Sequence, residues 1–131
     1  MSVLAVIGGG SFGTSMAVAL APRFDDVRLW VHEADLAARM QASRENDVFL
    51  PGFRLPPAIK VTSNLQEAMH GAGTILGAMP SAHARAVYTS MRPYFDPSMR
   101  VVSVTKVFEK QTLFRITEVM QQALGDPPVA T

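Results

Sequence analysis

Cysteine is absent from the 131 residues, which excludes disulfides and thiolate metal ligands. Charge is sparse and balanced: 18% of residues are charged and the net charge is +1. The signs are interspersed, so the chain lacks the basic patch or stripe that grips nucleic acid. Long apolar runs are missing too. The first run, residues 3–8, stops at Gly8 to Gly10 and follows no basic segment. It reads as neither a signal peptide nor a membrane span. Internal repeats and low-complexity tracts are absent. What remains is a chain 48% hydrophobic, of a length that suits one domain with a real core. No metal site is expected, and a cysteine-free chain suits a cytoplasmic protein.

Apolar runs and helical patterns alternate. Residues 3–8 are continuous and rich in β-branched side chains, as in a strand buried on both faces. Residues 11–21 read as a helix that Pro22 ends, 26–32 as a second strand, and 33–43 as a helix with Leu36, Ala37 and Met40 on one face. About twenty residues then carry three prolines and few helix signals. Only 59–62 looks strand-like, and a loop this long is functional or disordered. Beyond it come a helix capped by Ser63 or Asn64 and closed at Gly71, and a strand at 74–80. A helix over 83–91 follows, with Ser81 as N-cap. A strand at 100–106 and a helix at 112–124 complete the alternation. Met16, Met40, Met69 and Met120 fall at core spacings, and His70 and His83 read as exposed helix histidines. Residues 129–131 resemble the opening of a sixth strand. Such alternation predicts an α/β fold, a doubly wound parallel sheet of the Rossmann type.

Four glycines crowd the first strand-to-helix junction, in "AVIGGGSFGTSMA". Gly8, Gly10 and Gly13 satisfy G-x-G-x-x-G in the context that gives this spacing meaning. Gly8 makes the tight turn, Gly10 admits a pyrophosphate against the backbone, and Gly13 lets the helix pack closely. The helix N-terminus offers N–H groups and a positive dipole end to phosphates. Glu33 lies where an acid would hold a ribose 2′-hydroxyl; His32 beside it suits a 2′-phosphate. The first choice favours NAD and the second NADP, and the cofactor stays NADP or NAD.

Five segments in order, "VIGGGSFGTSMA", "VRLWVHE", "ENDVFLPGFRLPPAIKVTSNLQEA", "AMPSAHAR" and "VVSVTK", carry a closer likeness. Together the chain resembles the N-terminal cofactor-binding domain of bacterial, cytosolic NAD(P)-dependent glycerol-3-phosphate dehydrogenase. The glycine loop is common to many dehydrogenases; N-x-x-F-L-P-G, M-P-S and T-K are the specific parts. The resemblance implies interconversion of dihydroxyacetone phosphate, a small-molecule phosphate substrate, with sn-glycerol 3-phosphate, at the start of glycerophospholipid synthesis. It places Ser11 and Phe12 over the cofactor pyrophosphate and His32 at the adenosine end. Pro80 and Ser81 would border the cofactor, and the parent enzyme would be a homodimer. The segment 49–51 either covers the cofactor or is a proline-fixed loop.

Lys106 closes the fifth strand and, by the resemblance, touches cofactor and substrate. A strand-end lysine is a compact cation that pairs with phosphate or polarises a carbonyl. The family's usual glycine after T-K is replaced here by Val107. The family's V-x-S-G-P segment, helical substrate domain and general acid/base lysine do not occur in residues 1–131. The expectation is one NAD(P)-binding domain, truncated before that second domain and by itself inactive. The alternatives are another reductase of the same superfamily and a non-catalytic nucleotide-binding module.

Overall fold

The first apolar run forms strand β1 (Val3–Ile7), buried along its whole length. A computed structural model describes residues 2–104, 116–124 and 129–130. Strand β1 leads through the glycines into helix α1 (Ser11–Leu20). Pro22 does not stop the helix outright: a 3-10 turn, Ala21–Arg23, continues it with the proline in its first positions, where a missing N–H is harmless. Strand β2 (Asp26–Trp30) and helix α2 (Ala34–Ser43) follow. The expected long loop instead contains a two-stranded antiparallel hairpin, β3 (Glu45–Asn46) with β4 (Leu50–Arg54), before β5 (Ile59–Thr62). Then come α3 (Leu65–Met69), β6 (Thr74–Gly77), α4 (Ser81–Met91), β7 (Arg100–Ser103), α5 (Ile116–Leu124) and β8 (Val129–Ala130).

Asn64 is the cap of α3: its side chain accepts from the Glu67 N–H at 3.1 Å. Gly71 has φ +74, in the left-handed region, just after that helix. Ser81 is the first residue of α4 and not its cap; Pro80 holds the cap position without a side-chain hydrogen bond.

The main sheet runs β5-β2-β1-β6-β7-β8, and every pairing in it is parallel. This is the doubly wound parallel sheet that the alternation predicts. Its strands alternate between two cores. Val3, Ala5 and Ile7 face the side covered by α3, α4 and α5, while Leu4 and Val6 face the side covered by α1 and α2. Met40, Met69 and Met120 are core residues; Met16 packs at the edge of the second core, half-buried. From β1 the chain moves first to one side, to β2, and later returns on the other, to β6. Between β1 and β6 lies the topological switch, where an open α/β sheet leaves a crevice beyond its carboxyl ends.

One contact in the first core is unusually tight. Tyr88, fully buried on α4, sets its hydroxyl where a side chain on Gly77 would stand. The hydroxyl completes no well-formed hydrogen bond, although the Ser103 side chain is near enough to influence it. Burial pushes the phenol up to about 12, against a small opposing pull from Ser103. Gly77→Ala overpacks this point and is expected to cost about 1–3 kcal/mol. Tyr88→Phe removes the obstructing oxygen, so the double variant should recover much of the loss. Denaturant unfolding of the two single variants and the double checks this. Simple additivity would show that the hydroxyl does not set the limit.

Candidate functional site: a cleft at the glycine loop

A cleft of about 690 Å³ opens at the carboxyl ends of β1, β2, β6 and β7, bordered by Gly8 to Gly13, Trp30, His32, Phe49, Met79 and Val104. Its floor is made by close backbone approach. Gly8 has φ +128, and a Cβ there would stand 2.8 Å from the Ala78 carbonyl carbon and the Met79 nitrogen. A Cβ on Gly13 would collide with the Gly8 carbonyl oxygen and press on Ala78. These two positions therefore bring α1 down against the β1–β6 junction. Gly10 behaves differently: a Cβ there would meet nothing within 4 Å. The space above Gly10 is open cleft.

Gly10 is also the N-cap of α1, and its carbonyl accepts the first helical bond, from the Thr14 N–H at 3.0 Å. The N–H groups of Ser11, Phe12 and Gly13 precede that bond and have no partner within the helix. The open space thus lies at the positive end of a helix, which suits an anion such as a phosphate.

Gly8, Gly10, Ser11, Phe12, Gly13, His32, Glu33 and Pro80 all border the cleft. Glu33 caps α2 through its backbone and does not begin it; its side chain makes no capping bond. Both His32 and Glu33 are exposed at the rim. The Ser81 side chain is not among the cleft-lining groups. Lys106 and Val107 lie outside the described residues.

Further residues border or support the cleft, and of these Trp30, Val87 and Asn46 were not legible as site residues. His83 is exposed on α4, as expected of it, yet it borders the cleft with Val87. Trp30, the only tryptophan, packs its ring edge-on to His32 with centroids 5.8 Å apart and donates Nε1–H to the Ser63 carbonyl at 3.0 Å. Phe49 comes from the hairpin, and the segment 49–51 does reach the cleft. Asn46, also on the hairpin, is fully buried beside the glycine loop. Its only sequence signal was the N-x-x-F spacing. Among the described residues, no group of three or more His, Asp or Glu could hold a metal, and no helix is long and apolar enough to cross a membrane.

Residues 3–131 match the family described as NAD-dependent glycerol-3-phosphate dehydrogenase N-terminus. A glycerol-3-phosphate dehydrogenase [NAD(P)+] of Koribacter versatilis is 42% identical over 125 residues, spanning 95% of this chain and 37% of the relative. The crystal structure of glycerol-3-phosphate dehydrogenase from Coxiella burnetii superposes with a TM-score of 0.91 at 34% identity. That match covers 98% of this chain and 39% of the other. A ketopantoate reductase structure from Ralstonia eutropha, at 18% identity and a TM-score of 0.71 over 99% of this chain and 39% of that one, shares the fold alone.

The glycines make separable demands on stability. Gly10→Ala projects into open space and should cost less than about 1 kcal/mol, the range of a weakened N-cap. Gly13→Ala drives a methyl into the Gly8 carbonyl and should cost about 1–3 kcal/mol or more. Thermal or urea unfolding of both variants tests the ranking. Equal losses would mean that the close approach at Gly13 is not under strain.

Proposed function

This chain belongs to the NAD-dependent glycerol-3-phosphate dehydrogenase N-terminal family, and from that premise we propose that residues 1–131 are the NAD(P)-binding domain of such an oxidoreductase. In this reading the whole enzyme interconverts dihydroxyacetone phosphate and sn-glycerol 3-phosphate. The chain spans little more than a third of its relatives' length, so a further, helical substrate domain supplies the general acid/base lysine. The protein works in the cytoplasm, at the entry to glycerophospholipid synthesis, as a homodimer.

The observation that carries the proposal is the open space over Gly10 at the α1 N-terminus. Backbone N–H groups and a positive helix end meet there with no side chain in the way, which fits a dinucleotide pyrophosphate. The nicotinamide of a bound cofactor supplies the hydride; the protein's part is binding, orientation and charge. Gly8 and Gly13 hold the floor. Ser11 and Phe12 border the pyrophosphate. Pro80 borders the cofactor, with Ser81 next to it as the first residue of α4. His32 and Glu33 face the adenosine ribose from the rim. Lys106 pairs with the substrate phosphate or polarises its carbonyl.

Titration of NADH and NADPH, read by fluorescence or calorimetry, tests the cofactor assignment. Gly10→Val places a branched side chain in the pyrophosphate space and should abolish binding while the fold persists. A folded Gly10→Val variant that binds like the parent would overturn the assignment. His32→Ala adds a finer expectation. A 2′-phosphate favours the charged imidazole, so the loss of affinity should be greater for NADPH than for NADH. Equal losses would show that His32 does not read the 2′ position.

Turnover separates the domain from the enzyme. Positioned general acid/base groups contribute roughly two to four orders of magnitude, and orientation of bound reactants about 7–11 kcal/mol. The 131-residue chain should therefore show no measurable oxidation of NADPH with dihydroxyacetone phosphate, whereas the full-length protein does. Robust turnover by the short chain, abolished by Lys106→Ala, would mean that its active site is complete.

A further inference from the structure

Asn46 is a neutral polar side chain, fully buried, on a hairpin whose other residues are largely exposed. Such burial requires that its polar atoms find partners, and they do so across two separate pieces of structure. Nδ2 donates to the Gly9 carbonyl at 2.8 Å and to the Thr14 hydroxyl at 2.9 Å. The Thr14 hydroxyl leans on the same Gly9 carbonyl at 3.4 Å. Oδ1 accepts the N–H of Phe49 at 3.0 Å. One amide thereby ties the glycine loop and the first turn of α1 to the backbone that carries Phe49.

We propose that Asn46 is a positioning residue for cofactor binding: it latches the β3–β4 hairpin to the glycine loop, so that Phe49 forms a fixed wall of the cleft that Phe12 also borders. The inference rests on the NAD(P)-binding reading of the same cleft. Without the latch, Phe49 depends on a two-stranded ribbon that is only marginally stable by itself and on the exposed Arg39–Asp47 ion pair at 3.0 Å, a surface contact worth little. Phe49 and Phe12 are both more than two-fifths exposed in the free protein, so apolar surface is available on both for a bound ring system to cover. The latch places that surface before the ligand arrives, which removes an ordering cost from binding. Nδ2 has two protons and both are used; Oδ1 is the sole acceptor for Phe49. An aspartate of the same shape would turn an acceptor toward the Gly9 carbonyl.

The test uses the full-length protein, with NADPH binding followed by calorimetry. Asn46→Ala should weaken binding about tenfold or more, the scale expected when buried polar partners lose their bond, measured well below the unfolding temperature. Phe49→Ala should weaken it as well. If Asn46 acts through Phe49, the two losses overlap, and Asn46→Ala adds less than about threefold in the Phe49→Ala background. A folded Asn46→Ala variant that binds within about twofold of the parent, or losses that multiply in full, overturn the latch. Should Asn46→Ala and the isosteric Asn46→Asp both fail to fold, amide hydrogen exchange of Phe49 in the unmutated protein decides. Protection in the free protein, rising with NADPH, supports the latch; exchange at the rate of an open loop in both states overturns it. Failure of the unmutated protein to bind NADPH would count against the cofactor assignment and leaves the exchange measurement to judge the latch.

Discussion

The cleft exists because α1 can come within backbone distance of β1 and β6. A side chain on Gly13 would strike the Gly8 carbonyl, and one on Gly8 would strike the peptide joining Ala78 to Met79. Remove that approach and the helix must ride outward by the thickness of a methyl group. The helix N-terminus would then no longer point along the crevice, and the Gly10 N-cap would leave the floor. Close packing at two glycines is thus the condition for open space at the third. This division of labour follows from sterics before any ligand is considered.

The α/β alternation was legible because strands buried on both faces appear as short apolar runs, and β1 is one. The helix after β2 carried a one-sided stripe that the structure bears out, with Leu36, Ala37 and Met40 inward on α2; the inward face of α4, Ala84, Tyr88 and Met91, was not read from the sequence. The hairpin was illegible for a physical reason. Strand β4, Leu50–Arg54, is half-exposed or exposed at every residue, so neither face imposes a period of two. Its proline and glycine looked like loop residues because the usual strand pattern was missing. Asn46 escaped for a related reason: composition ranks asparagine as a surface residue, and only its partners reveal burial.

The rim carries mixed signals, and their geometry explains why. Strand β2 ends at Trp30, so His32 and Glu33 both lie in the turn to α2. Neither is fixed by a side-chain hydrogen bond in the cap, although Trp30 braces the His32 ring from the side. His32 is thus the braced group of the pair, and Glu33 is the one held through its backbone alone at the cap.

The hairpin is held at its root as well as at its flank. Arg44 ends α2 in the left-handed region, φ 61, with its N–H bonded to the Met40 carbonyl. Its guanidinium donates to the carbonyls of Pro56 and Ile59, each at 2.6 Å, and its own carbonyl accepts the Leu55 N–H at 2.7 Å. Leu55 in turn is buried in the core beneath α2. The excursion from residue 44 to residue 59 therefore leaves and rejoins the domain through one residue's backbone and side chain. A ribbon closed only at its root could still swing about that point. The Arg39–Asp47 ion pair at 3.0 Å ties the turn to α2 at the exposed surface, and the buried amide of Asn46 adds an attachment to the glycine loop, so the rotation that the root alone permits is restrained. Phe49 keeps its place at the cleft by this geometry, although the turn that carries it is exposed and strand β4 beyond it buries almost nothing.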